Sequence, residues 1–434
     1  MNPVEGESKP RNSAWFGTLG AAMEWYDFTL YVYLAPVISV LFFPSDSTLD
    51  SLLATFGVFA AGYLMRPIGA AVLGNIGDTR GRKFALGLSI GLMAFGMMLI
   101  GFLPTESSIG VLAPILLVLI RLAQGFSLGG EFSGSIVLLA ESAEPRRRGF
   151  TTNLVQISTG IGFLLSSATV AALHALLTTD QMNSWGWRLP FFLGAGIGIF
   201  ALYMLIAKVE LDDPEEDEDA PDEIPLKTLF ENERKPLVLS FLLNGHQALI
   251  YYIVATFIPT FVTSILGGPP EEGLFASAIA AIVFMALCPF AGSLSDRFGR
   301  RPILAIGATG MAVAAVPLFA LVAETNLPAV IGGQLGLMIL VVLFTSPALV
   351  IATELFSRPT RYSGVAVSYN LGATIFGGTA PLVATALISI TGWNLVPGLL
   401  IAVASLLVLI VVFYAPETAP AKTGDGQAEG VSPV

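Results

Sequence analysis

The sequence predicts an all-α integral membrane protein, with twelve transmembrane helices in two six-helix halves. Three observations carry that prediction. The 434 residues are 54% hydrophobic and only 12% charged, with a mean hydropathy of +0.76, whereas a soluble domain carries about 25% charged residues. Apolar runs of membrane-crossing length recur along the whole chain, too long and unbroken for the alternating strands of a barrel. Finally, a charged knot between two such runs, Gly74-Asn-Ile-Gly-Asp78-Thr-Arg-Gly81-Arg82-Lys83, returns as Gly292-Ser-Leu-Ser-Asp296-Arg-Phe-Gly299-Arg300-Arg301. In each copy a glycine is followed by Asp at +4, Gly at +7 and bases at +8 and +9, which marks an internal duplication.

After a polar N-terminus (1–13), apolar runs fall at 14–43, 51–76, 84–103, 110–140, 150–177 and 188–207, forming the first half (14–207). The N-terminus shows no small-residue cleavage site, so the first run is expected to stay as a membrane helix. An acidic linker (208–236) follows, with ten acids and no base between 209 and 223. It is too charged to pack, and it accounts for most of the net charge of −11. The second half (237–414) holds runs at 237–265, 274–294, 302–322, 328–353, 362–390 and 393–414, and a tail (415–434) closes the chain.

The 21 Lys and Arg gather in alternate connections: Arg80, Arg82 and Lys83; Arg146 to Arg148; Lys227, Arg234 and Lys235; Arg297, Arg300 and Arg301; Arg358 and Arg361. The other connections hold none, so by the positive-inside rule the basic connections and both termini face the cytoplasm. Trp185, Trp187 and Trp393 are expected in the outer aromatic belt. A second echo supports the duplication: Glu141 precedes Arg148 by seven residues, and Glu354 precedes Arg361 by seven.

Twelve helices, a central cytoplasmic loop and the duplicated Gly-x3-Asp-x2-Gly-Arg-Lys/Arg motif resemble the major facilitator superfamily. Glu24-Trp-Tyr-Asp-Phe28, Arg66-Pro-Ile-Gly69, Arg121-Leu-Ala-Gln-Gly125 through Gly129-Gly-Glu131, and Gly186-Trp-Arg-Leu-Pro190 resemble its metabolite:H+ symporter family. That family includes proline/glycine-betaine, α-ketoglutarate, citrate and shikimate permeases. The resemblance implies the major facilitator fold, alternating access, and a charged latch on the cytoplasmic side built from Gly74, Asp78, Gly81, Arg82, Lys83, Glu141 and Arg148 with Gly292, Asp296, Gly299, Arg300, Arg301, Glu354 and Arg361. Within that latch Asp78 and Asp296 can cap the helices that follow them or reach across the seam, and Glu141/Arg148 and Glu354/Arg361 read as ion pairs.

Charges inside a bilayer are expensive and functional by default. Glu24 and Asp27 share a stripe of the first helix with Tyr31, and Arg121 lies near the midplane of the fourth above Gln124 and Glu131. Arg66 sits in the second. A guanidinium cannot lose its charge and offers a fork to a carboxylate. Arg66 and Arg121 are therefore expected to bind a substrate carboxylate, or Glu24, Asp27 and Glu131 when no substrate is present. Three carboxylates against two guanidiniums leave one able to carry a proton, with Asp27 or Glu131 as the coupling acid. In the second half His246, Gln247, Tyr251, Tyr252, Tyr369 and Asn370 are the polar and aromatic groups that could meet the cationic end of a zwitterion.

Gly125-Phe-Ser-Leu-Gly129 matches a hydrolase elbow only by letter, since no strand precedes it, and its glycines read as helix packing. No metal-ligand spacing, phosphate loop or dinucleotide motif occurs. The expectation is a transporter and not an enzyme: a proton-coupled importer of a small polar metabolite in a bacterial cytoplasmic membrane, working as a monomer, with the proton as its only cofactor and no nucleic-acid partner. A compatible solute such as proline or glycine betaine leads. The alternatives are a dicarboxylate, tricarboxylate or shikimate permease and, in another class, an osmotic or nutrient sensor on a transporter fold.

Overall fold

A computed structural model describes residues 11–128, 131–208 and 225–423, apart from the side chains at 11–19, 77–78, 82, 131, 208, 225–228 and 423. The acidic stretch at 212–223 and the side chains of Asp78, Arg82 and Glu131 thus lie outside the described residues. Among the described residues there are helices and no strands. Eleven are long and apolar enough to cross a membrane, and a bent pair brings the number to twelve.

In the first half these are α1 (Gly20–Tyr33 and Ala35–Phe42), α2 (Thr48–Ile76), α3 (Lys83–Phe102), α4 (Leu112–Ser127 and Glu131–Ser142), α5 (Pro145–Leu176) and α6 (Gly186–Ala207). In the second they are α7 (Arg234–Ile265), α8 (Pro270–Phe298), α9 (Arg300–Val322), α10 (Leu327–Glu354), α11 (Arg361–Thr391) and α12 (Val396–Tyr414). The linker region also contains a short helix, Pro225–Asn232.

The bends follow from proline. Pro36 stands in the first turn after the 62° break of α1, and Pro67 follows the interruption of α2 at Met65. The glycine at +7 of the repeated motif has an equally physical reason. Gly81 and Gly299 adopt φ of 90° and 108°, a backbone region closed to most side chains, and there the chain turns from α2 into α3 and from α8 into α9. The duplication is therefore visible in the backbone as well as in the letters.

Within each half the matching helices pack together: α3 on α6 and α9 on α12, α2 on α4 and α8 on α10. The halves meet along α5 with α8, α2 with α11, and α1 with α7. Trp187 departs from the expected belt. It is fully buried beneath Phe42 and Phe191, whereas Trp185 and Trp393 are exposed as expected.

Candidate functional site

The buried charges sort into two ion pairs. Arg66 Nη2 lies 3.2 Å from Glu24 Oε1, and its Nε donates at 3.4 Å to Asn370 of α11 across the seam. Arg121 Nη1 donates to Asp27 Oδ2 at 2.8 Å, while Gln124 donates to the other Asp27 oxygen at 3.1 Å. All four charged side chains are almost completely buried. Their pairing is what low-dielectric surroundings require, since a lone charge at the centre of a bilayer costs several kcal/mol. Both guanidiniums also lie against aromatic faces, Arg66 over Tyr63 at 5.1 Å and Arg121 over Tyr31 at 4.2 Å. Tyr31 bonds Thr55 O within the first half, so it braces Arg121 and does not face the seam.

Beside these pairs, between the halves, lies a central cavity of about 10 Å³, room for roughly one water. Trp25, Phe132, Tyr251, Tyr252, Phe284 and Tyr369 form most of its wall, with ring separations such as 5.4 Å for Trp25–Phe132 and 5.2 Å for Phe132–Tyr369. Gln156, Thr159, Gln247 and Ala248 complete it, and none of the described lining residues is charged. Arg66 connects to this wall through Tyr63, whose hydroxyl pairs with that of Tyr252. Thus Gln247, Tyr251, Tyr252 and Tyr369 meet at the cavity as expected, with Asn370 next to Arg66. His246 does not: α7 turns it away from the seam, against Phe344 and 3.4 Å from Ser405 of α12. Arg66 and Arg121 do not line the cavity either: each gives one guanidinium nitrogen to its acid, and Nε and Nη2 of Arg121 are buried without a partner.

The sequence reading missed Trp25, Gln156, Thr159 and Tyr63. A signal existed for the middle two: Gln156 and Thr159 are polar, one turn apart, in an otherwise apolar membrane helix. Trp25 carries no such signal, since in an apolar run only its indole N–H distinguishes it from a packing residue.

On one side of the cavity the halves are joined by charges, at the end that carries the basic connections. The expected pairs within each half are exchanged. Glu141 takes Arg361 at 2.9 Å and Glu354 takes Arg148 at 3.6 Å, so both pairs cross the seam. Arg300 binds both Glu354 (3.1 Å) and Asp296 (2.7 Å). Asp296 caps not α9 but the start of α5, accepting from Gly149 N at 2.8 Å and Phe150 N at 3.1 Å. The start of α9 is capped by Glu417 of the tail, through Arg300 N (2.8 Å) and Arg301 N (3.1 Å). Gly149 and Gly292 let α5 and α8 touch: a Cβ at Gly149 would lie 2.8 Å from Asp296 and one at Gly292 2.9 Å from Asn153. A Cβ at Gly74 would meet nothing within 4 Å, and Lys83 donates to Ile206 O of α6 at 3.3 Å. A larger surface cavity of about 560 Å³ also opens at this end, lined by Arg146, Arg147, Ser293, Asp296 and Arg297.

On the other side of the cavity the joints are neutral, and they originate in prolines. Pro36, Pro67 and Pro259 have no N–H, so the carbonyls four residues earlier lose their helical donor. Each takes a hydroxyl from the opposite half instead: Val32 O from Thr260 (3.1 Å), Tyr63 O from Thr374 (3.0 Å) and Ala255 O from Tyr33 (2.8 Å). Around Pro259, α7 widens into π-helix over Tyr252–Phe257 and Phe261–Ile265.

Comparison with known proteins agrees with this architecture. The family described as Major Facilitator Superfamily matches residues 17–292, and that described as Sugar (and other) transporter matches 207–423. A putative proline/betaine transporter of Staphylococcus haemolyticus is 33% identical over 95% of this chain and 88% of its own length. The proline/betaine transporter of Salmonella typhimurium is 30% identical over 87% of this chain and 78% of its own. Among solved structures, a D-xylose-proton symporter superposes with a TM-score of 0.74 at 20% identity, covering 93% of this chain and 98% of that one. The partially occluded, inward-open xylose transporter XylE of E. coli gives 0.72 at 18%, covering 93% and 97%. At such identities the structural likeness concerns the fold.

Proposed function

The chain belongs to the major facilitator superfamily, and from that premise we propose that it imports a zwitterionic compatible solute, proline or glycine betaine, together with a proton. The observation that carries this reading is the ring-walled cavity at the seam, with Trp25, Tyr251, Tyr252, Phe284 and Tyr369 on it. Several aromatic faces around one point attract a quaternary or secondary ammonium that has lost its water. The relatives named proline/betaine transporters support the same choice. A di- or tricarboxylate fits less well, because among the described residues the wall offers no cation.

Asp27 or Glu131 serves as the coupling acid. Asp27 is held by Arg121 and Gln124, so protonating it would remove the charge that holds Arg121 and loosen α1 from α4. Glu24, Arg66 and Asn370 link that event to the seam. Solute and proton enter from the far end, the halves rock about the cavity, and the ionic joints at the basic end part to release both. The basic end faces the cytoplasm of a bacterial cell, with both termini on that side, and one chain suffices, with the proton as the only coupling ion.

Uptake into proteoliposomes under an imposed inward proton gradient tests the reading. Glycine betaine or proline should accumulate and an uncoupler should abolish the accumulation. Accumulation of α-ketoglutarate or citrate in place of both would overturn it.

A further inference from the structure

The central cavity contains a set of hydrogen-bonding atoms that the fold itself does not use. Trp25 Nε1, Thr159 Oγ1 and Gln247 Oε1 are all buried without a partner in the protein, and all three residues line the same cavity. A buried donor or acceptor left unmet is unfavourable, and most folds contain few. Three on the wall of one small cavity point to a ligand that completes them.

Their chemistry is specific. An indole N–H can only donate, a threonine hydroxyl can donate, and an amide carbonyl can only accept. The two donors come from the first half (α1 and α5) and the acceptor from the second (α7). Meanwhile Arg66 is bound to Glu24 and Asn370. Arg121 gives only Nη1 to Asp27, and its Nε and Nη2 are also buried without a partner, but neither arginine lines the cavity.

We infer that the cargo's carboxylate is received by the neutral donors Trp25 Nε1–H and Thr159 Oγ1–H, and not by Arg66 or Arg121, while the Gln247 carbonyl accepts from a cargo ammonium that carries N–H. This rests on the zwitterion reading above. It divides the labour between two adjacent sites: neutral groups and rings choose the cargo, and the ion pairs beside them respond to the proton. It also makes Gln247 the residue that separates proline, whose secondary ammonium can donate to it, from glycine betaine, whose quaternary nitrogen cannot. The cavity in its closed form is far smaller than either solute, so its walls must part to admit one. The donors and the acceptor lie on opposite halves, and a solute touching both would favour their closing again.

The experiment uses purified full-length protein and measures the affinity of radiolabelled glycine betaine and proline, with choline as the competitor that keeps the quaternary head and lacks the carboxylate. Trp25→Phe, which keeps a ring and removes the N–H, and Thr159→Val should each weaken betaine and proline by roughly tenfold or more. Both should leave choline within about twofold of wild type. Gln247→Met should weaken proline by a similar factor and leave betaine unchanged. Thr159→Ala replaces Thr159→Val where the valine disturbs folding, as read by melting temperature. Wild-type affinities for betaine in Trp25→Phe and in the Thr159 variants overturn the inference, as does an equal loss for choline, which would make these residues packing groups. Wild-type protein that binds neither betaine nor proline overturns the functional reading itself, a separate result.

Discussion

Asp27 is fully buried, and its two oxygens are taken by Arg121 and Gln124, groups of the same half. A proton arriving there removes a charge that Arg121 needs. Asp27→Asn should therefore retain exchange of labelled solute across proteoliposomes and lose accumulation driven by a proton gradient. Glu131→Gln is the matching variant, and full accumulation by both would remove the coupling role from this region. Arg121→Gln is the harsher change, because it leaves Asp27 buried without its counter-charge. It should destabilise the protein by about 3–5 kcal/mol, seen as a lowered melting temperature, and Asp27→Asn in the same chain should recover most of that loss. The spacing of charges in the apolar runs made Glu24, Asp27, Arg66 and Arg121 legible in the sequence. Which acid meets which base was not legible, because that depends on how far each helix is rotated and slid against its neighbours, a property of packing and not of any one helix.

At the scale of the helix, the prolines do two things at once. Pro36, Pro67 and Pro259 interrupt their own helices and, in doing so, free three carbonyls that the opposite half then occupies with Thr260, Thr374 and Tyr33. Hydrogen bonds between membrane helices contribute about 0.6 kcal/mol each. Thr260→Val, Thr374→Val or Tyr33→Phe alone should thus be nearly silent. Together they should shift the closed-to-open ratio of the far end by about 1.8 kcal/mol, roughly twentyfold. A cysteine in place of Phe56, which packs on Phe257 across the seam, reports the change through its rate of modification by a water-soluble maleimide. A triple variant labelled no faster than the parent would show that these bonds do not hold the far end. The prolines were plain in the sequence, but their freed carbonyls were not, because the residue that satisfies each lies more than 200 positions away. The Gly81 and Gly299 turns were legible, because a local backbone demand leaves its mark on the residue itself.

In the whole molecule the two ends are held by different forces. Arg148 with Glu354, Arg361 with Glu141, and Asp296 on the Gly149 and Phe150 amides join the halves at the basic end; Arg148, Arg361 and Glu141 are partly exposed, which makes their pairs sensitive to salt. The opposite end relies on hydroxyls, carbonyls and aromatic packing, which salt barely affects. Both ends are closed around the central cavity in this structure. Rigid halves rocking about that cavity cannot open both ends at once, so opening one must tighten the other. Spin labels on exposed positions test this: Glu144→Cys with Pro359→Cys at the basic end, and Ser108→Cys with Glu324→Cys at the far end. The one native cysteine, Cys288, is buried and leaves the labelling clean. Raising the salt from about 0.1 M to 1 M shortens the screening length from about 10 Å to about 3 Å. It should therefore lengthen the 144–359 distance and shorten the 108–324 distance in the same sample. Saturating betaine at low pH should narrow both distributions toward the doubly closed form. Two distances that lengthen together under salt would mean that the halves separate as a whole, and the seesaw between ionic and neutral joints would not stand.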